Sequence, residues 1–128
     1  MLPLLESDLF EIMQAVREEK LSEVEVKFAD RSACCVVLAS KGYPKAYEKG
    51  FEITVGKLAE NADFYIAGAK LQDGKLLTNG GRVLNVVAQA DTLEKAIKDA
   101  YSASECITFE NSYCRSDIGQ RALAALSH

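Results

Sequence analysis

The chain has 128 residues, of which 48% are apolar and 27% charged, a composition that suits one globular domain with a core of its own and no need of metals or disulfides. Fifteen Lys and Arg are dispersed among 19 Asp and Glu for a net charge of −4, which argues against nucleic-acid backbone binding as the main task. No run approaches the roughly 20 apolar residues that span a bilayer, and Met1-Leu2-Pro3-Leu4-Leu5 is too short, and lacks the basic lead, of a signal peptide. A soluble cytoplasmic domain without nucleic-acid or membrane partners is expected.

From the N-terminus, Ser7 stands where a helix cap is wanted, and Leu9, Ile12, Met13 and Val16 recur at one-face spacing, predicting a helix that ends near Lys20. Val24, Val26 and Phe28 then alternate with Glu25 and Lys27, the period of a half-exposed strand. After a turn at Ala29-Asp30-Arg31, the run Ala33 to Ala39 is apolar on both faces and predicts a central strand. Lys41 to Gly50 is a loop, Phe51-Ile53-Val55 alternates as a short strand, and Lys57 to Asn61 has room for one helical turn. Phe64 to Lys70 and Lys75 to Thr78 flank Gln72-Asp73-Gly74, a strong hairpin signal. Asn79-Gly80-Gly81 interrupts, and Val83 to Ala88 resumes as a strand.

Asp91-Thr92-Leu93-Glu94 has the form of a capping box with Asp at the cap, and the helix it opens puts Leu93, Ala96, Ile97, Ala100 and Tyr101 on one face. Cys106 to Phe109 predicts a short strand and Gly119 to Leu126 a closing helix. The consistent architecture is α+β: an antiparallel or mixed sheet with a hairpin and two main helices on it.

Chemistry is sparse. The single histidine is His128, the last residue, so no imidazole-based nucleophilic arrangement can be built around a positioned ring. There is no G-x-x-x-x-G-K-[ST] loop and no G-x-G-x-x-G fingerprint. Cys34 and Cys35 are adjacent, so in a strand they face opposite ways; Cys106 and Cys114 form no C-x-x-C pair, and buried free thiols are expected in place of a metal site. The Glu18-Glu19 pair sits at a solvated helix end.

Two loops stand out. In Asn79-Gly80-Gly81-Arg82, the glycines let backbone N–H groups approach a ligand and Arg82 offers a planar fork for phosphate or carboxylate; the alternative is a bulge with Arg82 in water. Lys41-Gly42-Tyr43-Pro44 is either a stiff loop edging a cleft or a plain connector. Arg115-Ser116-Asp117 is expected to be an internal ion pair that fastens the tail.

The segments Ala39-Ser40-Lys41-Gly42-Tyr43-Pro44, Tyr47-Glu48-Lys49-Gly50, Leu71-Gln72-Asp73-Gly74-Lys75, Thr78-Asn79-Gly80-Gly81-Arg82-Val83-Leu84 and Tyr113-Cys114-Arg115-Ser116-Asp117-Ile118-Gly119 occur in this order. Together they resemble the C-terminal part of the phosphoribosylamine–glycine ligase family, ATP-grasp enzymes of purine biosynthesis, over nearly the whole chain. The resemblance implies a ligase that uses ATP with Mg²⁺ or Mn²⁺ to activate glycine and joins it to 5-phosphoribosylamine. It implies that residues 1-22 are a helical segment at the seam with an ATP-grasp core, absent from this chain, and that 23-128 are the C-terminal α+β domain. No cofactor and no ligase activity are expected of this chain alone.

On the matching positions, Arg82 is expected to be the charged contact to the phosphoribosyl substrate, Gly80 and Gly81 to give backbone approach, and Lys70 to be a second cation; no catalytic or metal residue is assigned. The chain departs from the family pattern at Ile66-Ala67-Gly68-Ala69, where His-Ala-Gly-Thr is frequent, and at Ser116, where Lys is usual. The rival expectations are a free-standing, non-catalytic module that binds a phosphorylated metabolite, and a structural domain that mediates assembly. Exposure of Leu2, Leu4, Leu5 and Leu9 would favour self-association.

Overall fold

The structure is a computed structural model that describes residues 1–127; the His128 expectation lies outside them. In chain order the elements are a 3-10 turn at Leu2–Leu4, α1 at Leu9–Arg17, a second 3-10 turn at Leu21–Glu23, β1 at Ser32–Ser40, β2 at Thr54–Val55, β3 at Ala62–Ile66, β4 at Ala69–Gln72, β5 at Lys75–Thr78, β6 at Arg82–Ala90, α2 at Leu93–Glu105, β7 at Ile107–Thr108, β8 at Ser112–Tyr113 and α3 at Gln120–Leu126.

The main sheet has the order β3-β6-β1-β8 and every pairing in it is antiparallel. The β-branched and apolar runs of β1 and β6 form its centre, matched from Ser32↔Ala90 to Leu38↔Leu84, with a register shift before Ala39↔Arg82. The two-residue period sorts the faces. Val36 and Leu38 of β1 and Leu84, Val86, Ala88 and Ala90 of β6 are buried against Ala96, Ile97, Ala100 and Ala103 of α2. Alanine at three of those four helix positions lets α2 lie close to the sheet. Each large side chain fully buried there contributes roughly 1.5–3 kcal/mol. On the opposite face Cys35, Tyr65, Asn85 and Val87 stay partly or largely open. Cys34 is buried and Cys35 exposed, as adjacent strand residues must be.

The α+β class holds, and α2 is the helix that covers the sheet. The other main helix does not join it: α1 lies beside the Leu21–Glu23 turn, and Leu9, Phe10, Met13 and Val16 are exposed. Its cap is Asp8, which accepts from Glu11 N at 3.1 Å. Ser7 is used elsewhere, donating to Glu25 O and accepting from Lys27 N. Those bonds, with Glu6 N to Lys27 O and Ala29 N to Leu4 O, hold residues 24–29 as an irregular strap with one bridge, Leu5↔Phe28, in place of the expected strand. The hydroxyl and the N-terminal segment supply the partners that a neighbouring strand would have given.

The expected single strand from Phe64 to Lys70 is split. Ala67 N and Gly68 N both donate to Val83 O at 3.0 Å, ending β3's run along β6 and sending the chain into a separate β4–β5 hairpin. A Cβ on Gly68 would collide with the Arg82 carbonyl, so glycine permits the crossing. At the hairpin tip Asp73 and Gly74 have φ of 51° and 77°, both left-handed, the pair that a two-residue primed turn requires. Lys57 to Asn61 forms no helical turn, and the strand expected from Phe51 is divided. Glu52 bridges to Leu77 of β5, with Thr78 N to Phe51 O and Ile53 N to Leu76 O at 2.8 Å, and Thr54–Val55 pairs with β7.

Candidate functional site

The two loops singled out in the sequence meet. Ser40, at the end of β1 and fully buried, donates from N to Gly81 O at 2.7 Å and from Oγ to Gly80 O at 3.0 Å. Tyr43 N returns to Ser40 O at 3.1 Å, which folds the loop back so that the Tyr43 ring lies where a Gly81 Cβ would be. Gly42 has φ of 102° and no room for a side chain against Ala46 O. Gly80 packs on Gly68, and Asn79 N donates to Gly68 O at 2.8 Å. The glycines therefore serve the fold, letting the two loops and the crossing at Gly68 pack closely.

A cleft of about 490 Å³ opens at this crossing, lined by Tyr43, Ala67, Gly81, Arg82 and Asn85. Arg82 is exposed at the first position of β6, and Asn85 is half-buried on the open sheet face. Among the described residues the Tyr43 hydroxyl, the Arg82 guanidinium and the Asn85 carboxamide have no hydrogen-bond or ion-pair partner, whereas Lys75–Glu52, Lys95–Asp99 and Arg115–Asp117 are closed pairs. One cleft is thus lined by residues that carry a cation, a hydroxyl and an amide, each unpaired among the described residues. Such a set fits an anionic, oxygen-rich ligand.

Of the residues named from the sequence, Gly81 and Arg82 line the cleft, whereas Gly80 does not and packs against Gly68. Lys70 is exposed on β4, opposite Leu77, and does not line the cleft. Arg115 and Asp117 form the expected ion pair, bidentate at 2.8 and 2.6 Å, with the Asp117 carboxyl held below its usual range chiefly by that hydrogen bond. Among the described residues no group of His, Cys, Asp and Glu is placed to hold a metal, and no helix is long and apolar enough to cross a membrane. Desolvation in the sheet raises the thiol pKa of buried Cys34 and also of Cys35, whose side chain is exposed, a direction that disfavours the thiolate.

The profile of the family described as "Phosphoribosylglycinamide synthetase, C domain" matches residues 33–121. The chain belongs to that family. It is 48% identical to the trifunctional purine biosynthetic protein adenosine-3 of Gallus gallus, over 98% of this chain and 13% of that protein. It is 45% identical to the phosphoribosylamine–glycine ligase of Caldanaerobacter subterraneus subsp. tengcongensis, over 91% of this chain and 28% of that one. Its fold matches the crystal structure of phosphoribosylamine–glycine ligase from Thermotoga maritima with a TM-score of 0.67 and 39% identity, covering 84% of this chain and 27% of that one. The chain thus spans under a third of the length of each of these relatives.

Within this synthetase C domain, the sequence leaves two readings of the Tyr43 loop open and does not by itself assign Ala67 or Asn85 to the cleft. Asn85 carried a signal, a lone carboxamide inside Val83-Leu84-Asn85-Val86-Val87. A polar residue there marks the face of the strand that no helix covers. Ala67 carried none, because its place follows from the chain crossing at Gly68.

Proposed function

We propose that this domain works within a longer phosphoribosylamine–glycine ligase as the wall that holds the phosphorylated sugar substrate. The observation that carries the proposal is a single cleft beside Gly81 lined by Tyr43, Arg82 and Asn85, whose polar groups are unpaired among the described residues. In the proposed reaction ATP transfers its γ-phosphoryl to the carboxylate of glycine. The amine of 5-phosphoribosylamine attacks the acyl carbon, and phosphate leaves with formation of the amide. ATP and Mg²⁺ or Mn²⁺ are assigned to an ATP-grasp core elsewhere in the ligase polypeptide, where the metal would offset charge on the transferring phosphoryl.

In this reading Arg82 makes a charge-assisted contact to the substrate phosphate, and Gly80 and Gly81 admit it to the backbone. Lys70, outside the cleft, contributes long-range attraction and not a contact. Residues 1-22 are assigned to the seam with the ATP-grasp core and 23-128 to the substrate-holding domain, in the cytoplasm. The exposed Leu9, Phe10, Met13 and Val16 support the seam, since an apolar helix face of this kind is suited to burial against another part of the polypeptide.

The test is steady-state kinetics of an intact ligase that carries this domain, with and without Arg82→Ala. The expected result is a rise in KM for phosphoribosylamine of about tenfold or more, with KM for ATP unchanged. An unchanged KM for phosphoribosylamine would sink the proposal.

A further inference from the structure

Ser40 is fully buried and donates a hydrogen bond to each of the two glycine carbonyls of the cleft loop. The Gly80–Gly81 peptide is trans, the cis bond among the described residues being Tyr43-Pro44. In a trans peptide the C=O and the following N–H point in opposite directions. Ser40 Oγ holds the Gly80 carbonyl at 3.0 Å, so the N–H of Gly81 in the same peptide is turned away from Ser40. Gly81 itself lines the cleft next to Arg82, and its N–H finds no backbone acceptor among the described residues. The second bond, Ser40 N to Gly81 O at 2.7 Å, fixes the next peptide in the same sense and leaves this one no freedom to flip. The Tyr43 ring fills the place of a Gly81 side chain and closes that side.

We propose that Ser40 is a positioning residue for ligand binding: its hydroxyl locks the Gly80–Gly81 peptide so that the Gly81 amide and the Arg82 guanidinium form a two-point cradle for a phosphate monoester. This rests on the reading of the cleft as a phosphate site and adds to it a buried residue that touches no ligand. The physical basis is that a fixed amide dipole aimed at an anion needs no reorganisation on binding, whereas a free peptide must be ordered first.

The experiment is a titration of the isotope-labelled chain with inorganic phosphate and with ribose 5-phosphate, followed at the Gly81 backbone amide and the Arg82 Nε by nitrogen–proton correlation NMR. Wild type is compared with Ser40→Ala and with Arg82→Ala, and spectral dispersion reports folding. The expected result is a shift of both signals in wild type. In Ser40→Ala the Gly81 response is lost and affinity is weakened by about tenfold, the worth of one charge-assisted hydrogen bond, while Arg82 Nε still responds at high phosphate. If Arg82 responds in wild type and Gly81 does not, or if Gly81 responds equally in Ser40→Ala, the role of Ser40 is overturned and the phosphate site stands. If neither signal moves in wild type, the phosphate reading fails and takes this inference with it. Should Ser40→Ala lose its dispersion, the comparison is made with Ser40→Cys, which keeps the size and weakens the donor, and an unchanged Gly81 response there overturns the role of Ser40.

Discussion

Tyr43 and Gly81 interlock: the tyrosine ring occupies the space that any side chain at position 81 would need. The contact joins a loop and a strand entry that lie 38 positions apart (81 − 43), and it forms one wall of the cleft that also holds Arg82. Gly81→Ala is expected to destabilise the chain by about 1–3 kcal/mol through overpacking. Adding Tyr43→Ala should recover part of that loss, because the two sites are coupled through one contact. Urea unfolding of the two single variants and the double variant gives the coupling; strict additivity would show that the ring yields without strain.

Arg82 and Lys70 separate a contact from a field. Arg82→Ala should weaken ribose 5-phosphate binding by about tenfold or more at any moderate salt. Lys70→Ala should weaken it by less than about threefold, and the difference should vanish near 0.5 M salt, where the screening length falls well below 10 Å. Calorimetric titration at two ionic strengths distinguishes them, and a large salt-independent Lys70 effect would place that side chain on the ligand.

Tyr101 clips the tail to α2. Its hydroxyl donates to Arg115 O at 2.7 Å and accepts from Ile118 N at 3.1 Å, so Tyr101→Phe loses two bonds with no change of shape. A destabilisation of about 1–2 kcal/mol is expected, concentrated in the tail. Hydrogen exchange should quicken at Ile118 and Leu123 while the β1–β6 ladder is spared; uniform acceleration would contradict a local clip.

Asp99 sets an acid limit. Its carboxyl is held below the usual range first by the hydrogen bond from Lys95 at 2.6 Å and next by that from Asn61 at 2.8 Å. A folded value below the unfolded one means that the stabilisation is complete above the unfolded value, near 3.9, and is lost as pH falls through the lower folded value. Wild type should therefore lose stability relative to Asp99→Asn as pH drops below about 4, with the gap constant between pH 6 and 8. Thermal melts across pH 2–8 would show this, and parallel curves would exclude the link.

Thr92, and not Asp91, caps α2. Thr92 Oγ1 accepts from Lys95 N at 3.3 Å, while Asp91 faces Arg31 at 3.7 Å. Thr92→Ala should cost about 1 kcal/mol and Asp91→Ala under about 0.5 kcal/mol, since its carboxylate is 93% exposed. Equal losses in thermal melts would restore the capping box read from the sequence.

Both cap misassignments, Ser7 for Asp8 and Asp91 for Thr92, are errors of one residue. In both, adjacent residues offer equivalent oxygens; Ser7 is engaged by the Glu25–Lys27 strap, whereas Asp91 stays exposed beside Arg31 and the cap falls to Thr92. The Val24–Phe28 alternation had the period of a strand and found no neighbouring strand, because pattern supplies a face and not a partner.

By itself the sequence determined the α+β class, the β1 and β6 core strands, the α2 face, the Asp73-Gly74 turn and, through its ordered motifs, the family. These depend on local periodicity, on backbone conformations few residues tolerate, and on residue order. Tertiary structure alone decided that Gly68 and Gly80 would cross, that Tyr43 would seat on Gly81, that Ser40 would hold both glycine carbonyls, and that Asn85 would share Arg82's cleft while Lys70 would not. Those relations join residues far apart in the chain, and they are fixed by strand register and by the space that missing side chains leave, neither of which is written at any single position.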